Sequence, residues 1–346
     1  MKRLADVIGG LSAIVAVAIL MSGALMKAAR SQTVGDFYKG RTIHVVIGYG
    51  VGGGYDAYAR LLTRYMGKYI PGAPSLVPQN MPGAGSLKAA MFLYDVAAKD
   101  GSYFGTVGRA VPLAPLLQNA QFDGSKYSWI GSISDDVSAC LSWNTSPTKT
   151  FDDLLAREVT FAGEGAASDP DVFSYTLNNV LGTKIRLVTG YQGTNEIVLA
   201  MERGEIQGIC GMSLSTIRIQ HPDWIEQKRV NILLQIALKK DPRLPTVPLI
   251  MDLAKTPEQQ QMLRLIVAGQ AIARPFFAPP GLPQDRKQAL RDAFDQTMKD
   301  PEFLTEAKRL SMDVNPLRGA EVDSLLQDLY ATPKDIADKA ARAIVK

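Results

Sequence analysis

Two cysteines, two histidines and three tryptophans in 346 residues leave little room for metal or nucleophile chemistry. His44 lies within a run of β-branched residues and His221 precedes a proline, so the usual metal-ligand spacings are missing. No Gly-x-Ser-x-Gly elbow occurs. The acidic pairs Asp135-Asp136 and Asp152-Asp153 are sequence neighbours, which point apart on a strand or around a helix and read as solvated surface. No catalytic set emerges, so the chain is read as a non-enzyme without metal or cofactor. Basic clusters are missing too. The formal charge is +4, but Lys2, Arg3, Lys27 and Arg30 against Asp6 put +3 of it in residues 1–31. About +1 remains for the rest, which gives no support to nucleic-acid binding.

Only one long apolar run is present, Val7 to Met26, preceded by Lys2-Arg3 and followed by small residues with Ala29-x-Ser31 as the cleavage site. It reads as a signal peptide over 1–31, with an uncleaved anchor as the competing reading. No cysteine precedes Cys140, which excludes a lipoprotein anchor. The expectation is an exported, periplasmic protein. With 46% hydrophobic residues and more than 300 positions after the leader, the chain is long enough for two cores.

What the sequence does have is glycine loops between strands and helices. Ile43 to Ile47 is β-branched, Gly48-Tyr49-Gly50-Val51-Gly52-Gly53-Gly54 follows, and Tyr55-Asp56 opens a run with apolar residues at helical spacing. Glycines there let a ligand reach the backbone, and the N–H groups of the loop and helix start suit a carboxylate or phosphate oxygen. Gly48-x-Gly50-x-x-Gly53 also matches the dinucleotide fingerprint, but residues 68–77 lack the acid that holds a ribose, and Asp56 would repel a pyrophosphate. No Lys-Ser or Lys-Thr pair closes a P-loop.

Gly52-Gly53-Gly54-Tyr55-Asp56-Ala57-Tyr58-Ala59-Arg60-Leu61-Leu62 resembles the first signature of the tripartite tricarboxylate transporter substrate-binding proteins, the TctC or Bug family. Further similar blocks follow in order. Asn80 precedes the Gly83-Ala84-Gly85-Ser86 turn; Gly163-Glu164-Gly165 leads to Ser168; and Tyr191-Gln192-Gly193-Thr194 stands where the family has Tyr-Lys-Gly-Ser/Thr. Leu244-Pro245-Thr246-Val247-Pro248 and Ala278-Pro279-Pro280-Gly281-Leu282-Pro283 complete the set. Gln192 replaces a lysine, and Asp169-Pro170-Asp171 stands where a histidine is common.

The resemblance implies an α/β, type II periplasmic binding protein of two lobes, each a mostly parallel sheet flanked by helices, joined by a hinge. Lobe one would comprise residues 32–137 plus 238–346, and lobe two, inserted, residues 138–237. The implied function is capture of a small carboxylate (a tricarboxylate, dicarboxylate, amino acid or aromatic acid) by lobe closure, as a monomer, with delivery to the membrane subunits of a tripartite transporter. Ligand contacts are expected from Tyr49, Gly52, Gly53, Gly54, Tyr55 and Asp56, from Gly83, Ala84, Gly85 and Ser86, and from Arg109, Gly165, Ser168, Tyr191 and Thr194. Amides at 52–56 and 83–86 would hold one carboxylate, and Asp56 would tune ligand choice. Helix capping is the competing role for Ser86, Ser168 and Asp56, and a structural ion pair that for Arg109. In the family's topology Cys140 and Cys210 can form a disulfide; two buried thiols are the alternative. A dinucleotide-dependent enzyme and a ligand sensor for a signalling partner stand as alternative functions.

Overall fold

Short runs of β-branched and aromatic residues form eleven strands in the computed structural model, which describes residues 33–346; the expected leader lies outside the described residues. They are β1 (Thr42–Ile47), β2 (Ser75–Asn80), β3 (Tyr103–Thr106), β4 (Ser128–Ser132), β5 (Ser138–Trp143), β6 (Val159–Ala162), β7 (Ile185–Val188), β8 (Gly208–Ser213), β9 (Val230–Ile236), β10 (Pro275–Ala278) and β11 (Leu317–Arg318). Two mixed sheets result, ordered β11-β4-β10-β3-β1-β2 and β7-β6-β8-β5-β9. Each contains a parallel triple, β2-β1-β3 or β7-β6-β8, continued by an antiparallel strand. All strands of the second sheet fall in sequence between β4 and β10.

Alternation along the strands sends side chains to opposite faces and so divides the core. On β1, Ile43, Val45 and Ile47 join Tyr58, Leu61, Leu62, Phe104 and Phe294, whereas Val46 enters the cluster on the other face. On β5, Leu141 and Trp143 pack with Ile197, Met201 and Trp224, whereas Cys140 points the other way. The cluster holding Val46 and Cys140 runs from one sheet to the other through Leu117, Leu177, Leu263 and Ala340. Its seam is the helix Lys334–Ala343, which packs on the helices Ala114–Gln118 and Pro257–Val267. Asn179 Nδ2, from the second sheet's layer, donates to the carbonyls of Ala343 and Val345 at 3.0 and 2.8 Å.

One expectation needs correction. Asp136 is not solvated: its side chain is 4% exposed and lies 3.1 Å from the buried Arg274. Asp152 and Asp153 do lie at the surface, where Asp153 completes a capping box with Thr150 at the start of the helix Phe151–Ala156. Asp136 is held inside because Arg274 supplies the opposite charge that burial demands. Among the described residues no helix is long and apolar enough to cross a membrane.

Cys140 and Cys210 are direct partners in the β5–β8 register, with Cα atoms 3.9 Å apart, and are joined as a disulfide. The bond closes a loop of 70 residues, for which the chain-entropy argument gives about 4 kcal/mol of stability. Alkylation of the denatured protein without reductant is expected to add no mass, and with reductant to label two thiols. Replacing both cysteines by alanine is expected to lower the urea-unfolding free energy by roughly that amount.

Candidate functional site

At the carboxyl ends of β1 and β6–β8 the loops of the two sheets meet around a cavity of about 140 Å³. Such strand ends are where open α/β sheets place ligands. From the first sheet come Tyr49, Gly53, Gly54, Tyr55 and Arg109; from the second, Glu164, Asp169, Gly193, Thr194, Asn195 and Ser213. Two helix starts open onto it, Gly54–Met66 and Thr194–Glu202. Each is preceded by a glycine, Gly53 or Gly193, and so has no side-chain cap. In each, an acid in the first turn reaches back four residues to a loop amide: Asp56 Oδ2 accepts from Gly52 N at 2.8 Å, and Glu196 Oε2 from Gln192 N at 2.9 Å. The loops are thereby set, while the helix dipoles aim their positive ends at shared space.

Arg109 lies across the floor. Its Nε is 2.9 Å from Asp169 Oδ2, Nη1 donates to Gln270 at 2.7 Å, and Nη2 donates to Ser213. Both partners of the ion pair are buried, with side chains 2% and 8% exposed. Arg109 therefore lines the cavity, but its charge is already neutralised by an acid from the other sheet. The Arg109 amide donates to the Tyr55 hydroxyl at 3.0 Å, and the Tyr55 ring stacks on Tyr49 with centroids 4.6 Å apart. Arg274 lies over the Tyr55 ring at 4.8 Å, which anchors the aromatic wall to the Asp136 pair.

Glu164 behaves differently from the other acids. Burial first, then the negative charges of Asp169 and Asp171, push its carboxyl up to about 8, against smaller opposing effects of Thr194 and Arg109. At neutral pH it is mostly protonated. Glu164 also lines an adjoining cavity of about 150 Å³, together with Gly83, Ala84, Gly85, Ser86, Gly165 and Tyr191.

The expected ligand residues thus divide. Tyr49, Gly53, Gly54, Tyr55, Arg109 and Thr194 surround the main cavity; Gly83 to Ser86, Gly165 and Tyr191 surround the adjoining one, which Tyr49 also lines. Three residues line neither. Gly52 turns its amide to Asp56. Asp56 is buried and accepts from Gly52 N, Arg60 Nε and Asn80 Nδ2 at 2.8–2.9 Å, so it organises the loop instead of meeting a ligand. Ser168 caps the helix Asp169–Thr176, its hydroxyl donating to Asp171 at 2.9 Å. The 83–86 turn also spends its amides: Gly85 N donates across to Glu164 O at 3.1 Å and Ser86 N to Gly83 O at 2.9 Å. Glu164, Asp169, Asn195, Ser213 and Thr216 were not singled out from the sequence. The one available signal for the first two was an acid on each side of an already noted glycine turn. Among the described residues, no group of three or more His, Cys, Asp or Glu side chains is placed to hold a metal.

Residues 59–341 match the family described as "Tripartite tricarboxylate transporter family receptor". The chain belongs to that receptor family. A curated relative, the "UPF0065 protein in gbd 5'region" of Cupriavidus necator, is 23% identical over 328 residues, 92% of this chain and 93% of the relative. Among solved structures, the periplasmic binding protein BugD aligns with a TM-score of 0.69 at 18% identity, covering 88% of this chain and 98% of that one. MatC from Rhodopseudomonas palustris, solved with bound malate, aligns at 0.68 with 20% identity, covering 86% and 99%. Family and fold are those of periplasmic solute-binding proteins.

Two outcomes are expected for this receptor. Burial pushes the Asp56 carboxyl up, but the bonds from Arg60, Gly52 and Asn80 outweigh it and hold it below the ordinary value. Its stabilisation is therefore present above the unfolded carboxylate value near pH ~4 and fades as pH falls through the lower folded value. Asp56→Asn should cost roughly 2 kcal/mol at pH 7 and much less near pH ~2, read by urea melts at both pH values. Arg109→Met, which leaves Asp169 buried without its partner, should cost about 3–5 kcal/mol, and adding Asp169→Leu should recover most of that loss.

Proposed function

We propose that this receptor captures a small carboxylate between its two lobes, residues 32–137 plus 238–346 and residues 138–237, and delivers it as a monomer to the membrane subunits of a tripartite transporter. The observation that carries the reading is the pair of glycine-capped helix starts, one from each sheet, opening on one cavity. A carboxylate accepting first-turn amides is stabilised by their dipoles without a buried cation to desolvate. Neighbouring structures with bound malate or adipate support this ligand class.

Affinity arithmetic favours a site made by two lobes. Micromolar binding needs about 8 kcal/mol. Each hydrogen bond to a charged group contributes roughly 1.5–3 kcal/mol before ordering costs are subtracted, so one loop falls short. Closure adds the second set of amides, and a closed shape is a surface that a membrane partner can distinguish from an open one.

The 83–86 turn and the loop after β6 meet backbone to backbone, Gly85 N donating to Glu164 O at 3.1 Å. A Cβ on Gly85 would sit 2.5 Å from Ser168 N, and one on Gly165 2.6 Å from Gly85 N; both residues have positive φ, 62° and 123°. Any side chain at either position props the lobes apart. A thermal-shift screen of mono-, di- and tricarboxylates tests the reading, with ligand-induced compaction followed by small-angle scattering. Gly85→Ala should weaken the best ligand roughly tenfold or more and reduce the compaction. Binding and compaction unchanged in that variant would remove lobe closure from the mechanism, and no stabilisation by any carboxylate would remove the function.

A further inference from the structure

Charge in the cavity is unevenly balanced. Arg109 is the cation on its walls, and its charge is matched by Asp169 at 2.9 Å. Glu164 and Glu196 remain as uncompensated acids, and neither forms an ion pair among the described residues. Glu196 is partly spent on the Gln192 amide, whereas Glu164 lines both the main and the adjoining cavity. A ligand bearing two carboxylates would thus find no free cation in the cavity to receive its second charge. One bearing a carboxylate and a cationic nitrogen would satisfy both the helix starts and the acid.

Building on the carboxylate-binding function proposed above, we infer that Glu164 is the specificity-determining residue of the cavity and selects an amino-carboxylate, a ligand in which one carboxylate is joined to an ammonium group. The ammonium would donate to Glu164 while the carboxylate meets the amides at Gly54–Tyr55 and Thr194–Asn195. Four groups set the state of Glu164, Asp169 and Asp171 from the helix that follows it, Thr194 from the facing helix and Arg109 from the first sheet's loop, while Tyr49 and Glu196 also line its cavity. The two aspartates favour the neutral acid, and Thr194 and Arg109 the ionised one. Half-buried beside these groups, Glu164 holds its proton up to about pH 8 when the cavity is empty. An arriving ammonium favours the carboxylate, so binding expels that proton. Affinity then rises with pH by up to about tenfold per unit below the empty-state value and levels off above it. A dicarboxylate would bring the opposite linkage, accepting a hydrogen bond from neutral Glu164, taking up protons and binding more weakly as pH rises.

Isothermal titration of the full receptor with three matched series tests this: glycine, β-alanine and 4-aminobutyrate; acetate, propionate and butyrate; malonate, succinate and glutarate. Titrations run from pH 6 to 8 in buffers of differing ionisation heat, which count protons released or taken up. Expected are tightest binding in the first series, proton release, and a gain in affinity with pH. Glu164→Gln should weaken the best amino-carboxylate roughly tenfold to a hundredfold and abolish its pH dependence, while dicarboxylates hold or gain. The variant preserves shape, its folding is checked by its melting temperature, and the pH series on the unaltered protein stands without it. Dicarboxylates binding at least as tightly as amino-carboxylates, or affinity flat or falling with pH, would overturn the inference and leave carboxylate capture intact. No binding in any series would instead defeat the function on which it rests.

Discussion

The ion pair between Arg109 and Asp169 holds together segments that are far apart in the chain. Arg109 follows β3, Asp169 opens a helix beyond β6, Ser213 ends β8, and Gln270 lies on the return path to β10. Two buried charges are stable only where each finds its opposite and the remaining donors are occupied. Ser138, at the start of β5, donates to the same Asp169 oxygen at 3.1 Å. The cavity floor is thus built from both sheets, and its shape follows from the need to leave no charge unmatched. The same need occupies the guanidinium with protein partners on every side.

An uncapped first turn must be held by something other than a capping side chain. Here acids four residues after the loop amide do it, Asp56 in one lobe and Glu196 in the other. The two lobes repeat the device at equivalent places, just as their sheets repeat a parallel triple followed by an antiparallel strand. The fold itself is retained at 18–20% identity to BugD and MatC.

Glycine turns followed by helical periodicity were legible in the sequence, since backbone geometry leaves a local mark in residue type. They located Gly53, Gly54, Tyr55 and Thr194 at the cavity. The direction in which Asp56 and Ser168 point was not legible. Both stand at helix starts, where an acid or hydroxyl can turn inward to cap or outward to a ligand, and the choice depends on Asn80 and Arg60 in one case and Asp171 in the other. Asp136 escaped for a related reason: its partner Arg274 is 138 residues away, beyond any local pattern. The same distance problem hid the pairing of Arg109 with Asp169. Glu164 was hidden more deeply, because its protonation is set by burial and by two neighbouring acids and leaves no sign in residue order.

The helix Lys334–Ala343 clasps the two sheets along one flank, through Ala114–Gln118 on one side and the Asn179 amide on the other. Were the two sheets to close on each other as proposed, a clasp on one flank would hold points beside it nearly still, whereas points farther from it would sweep a longer arc. A reporter fused after Lys346 would then stay close to that clasp and register little of the closure, so fluorophore pairs belong at exposed positions on other elements, such as Val51 and Leu199.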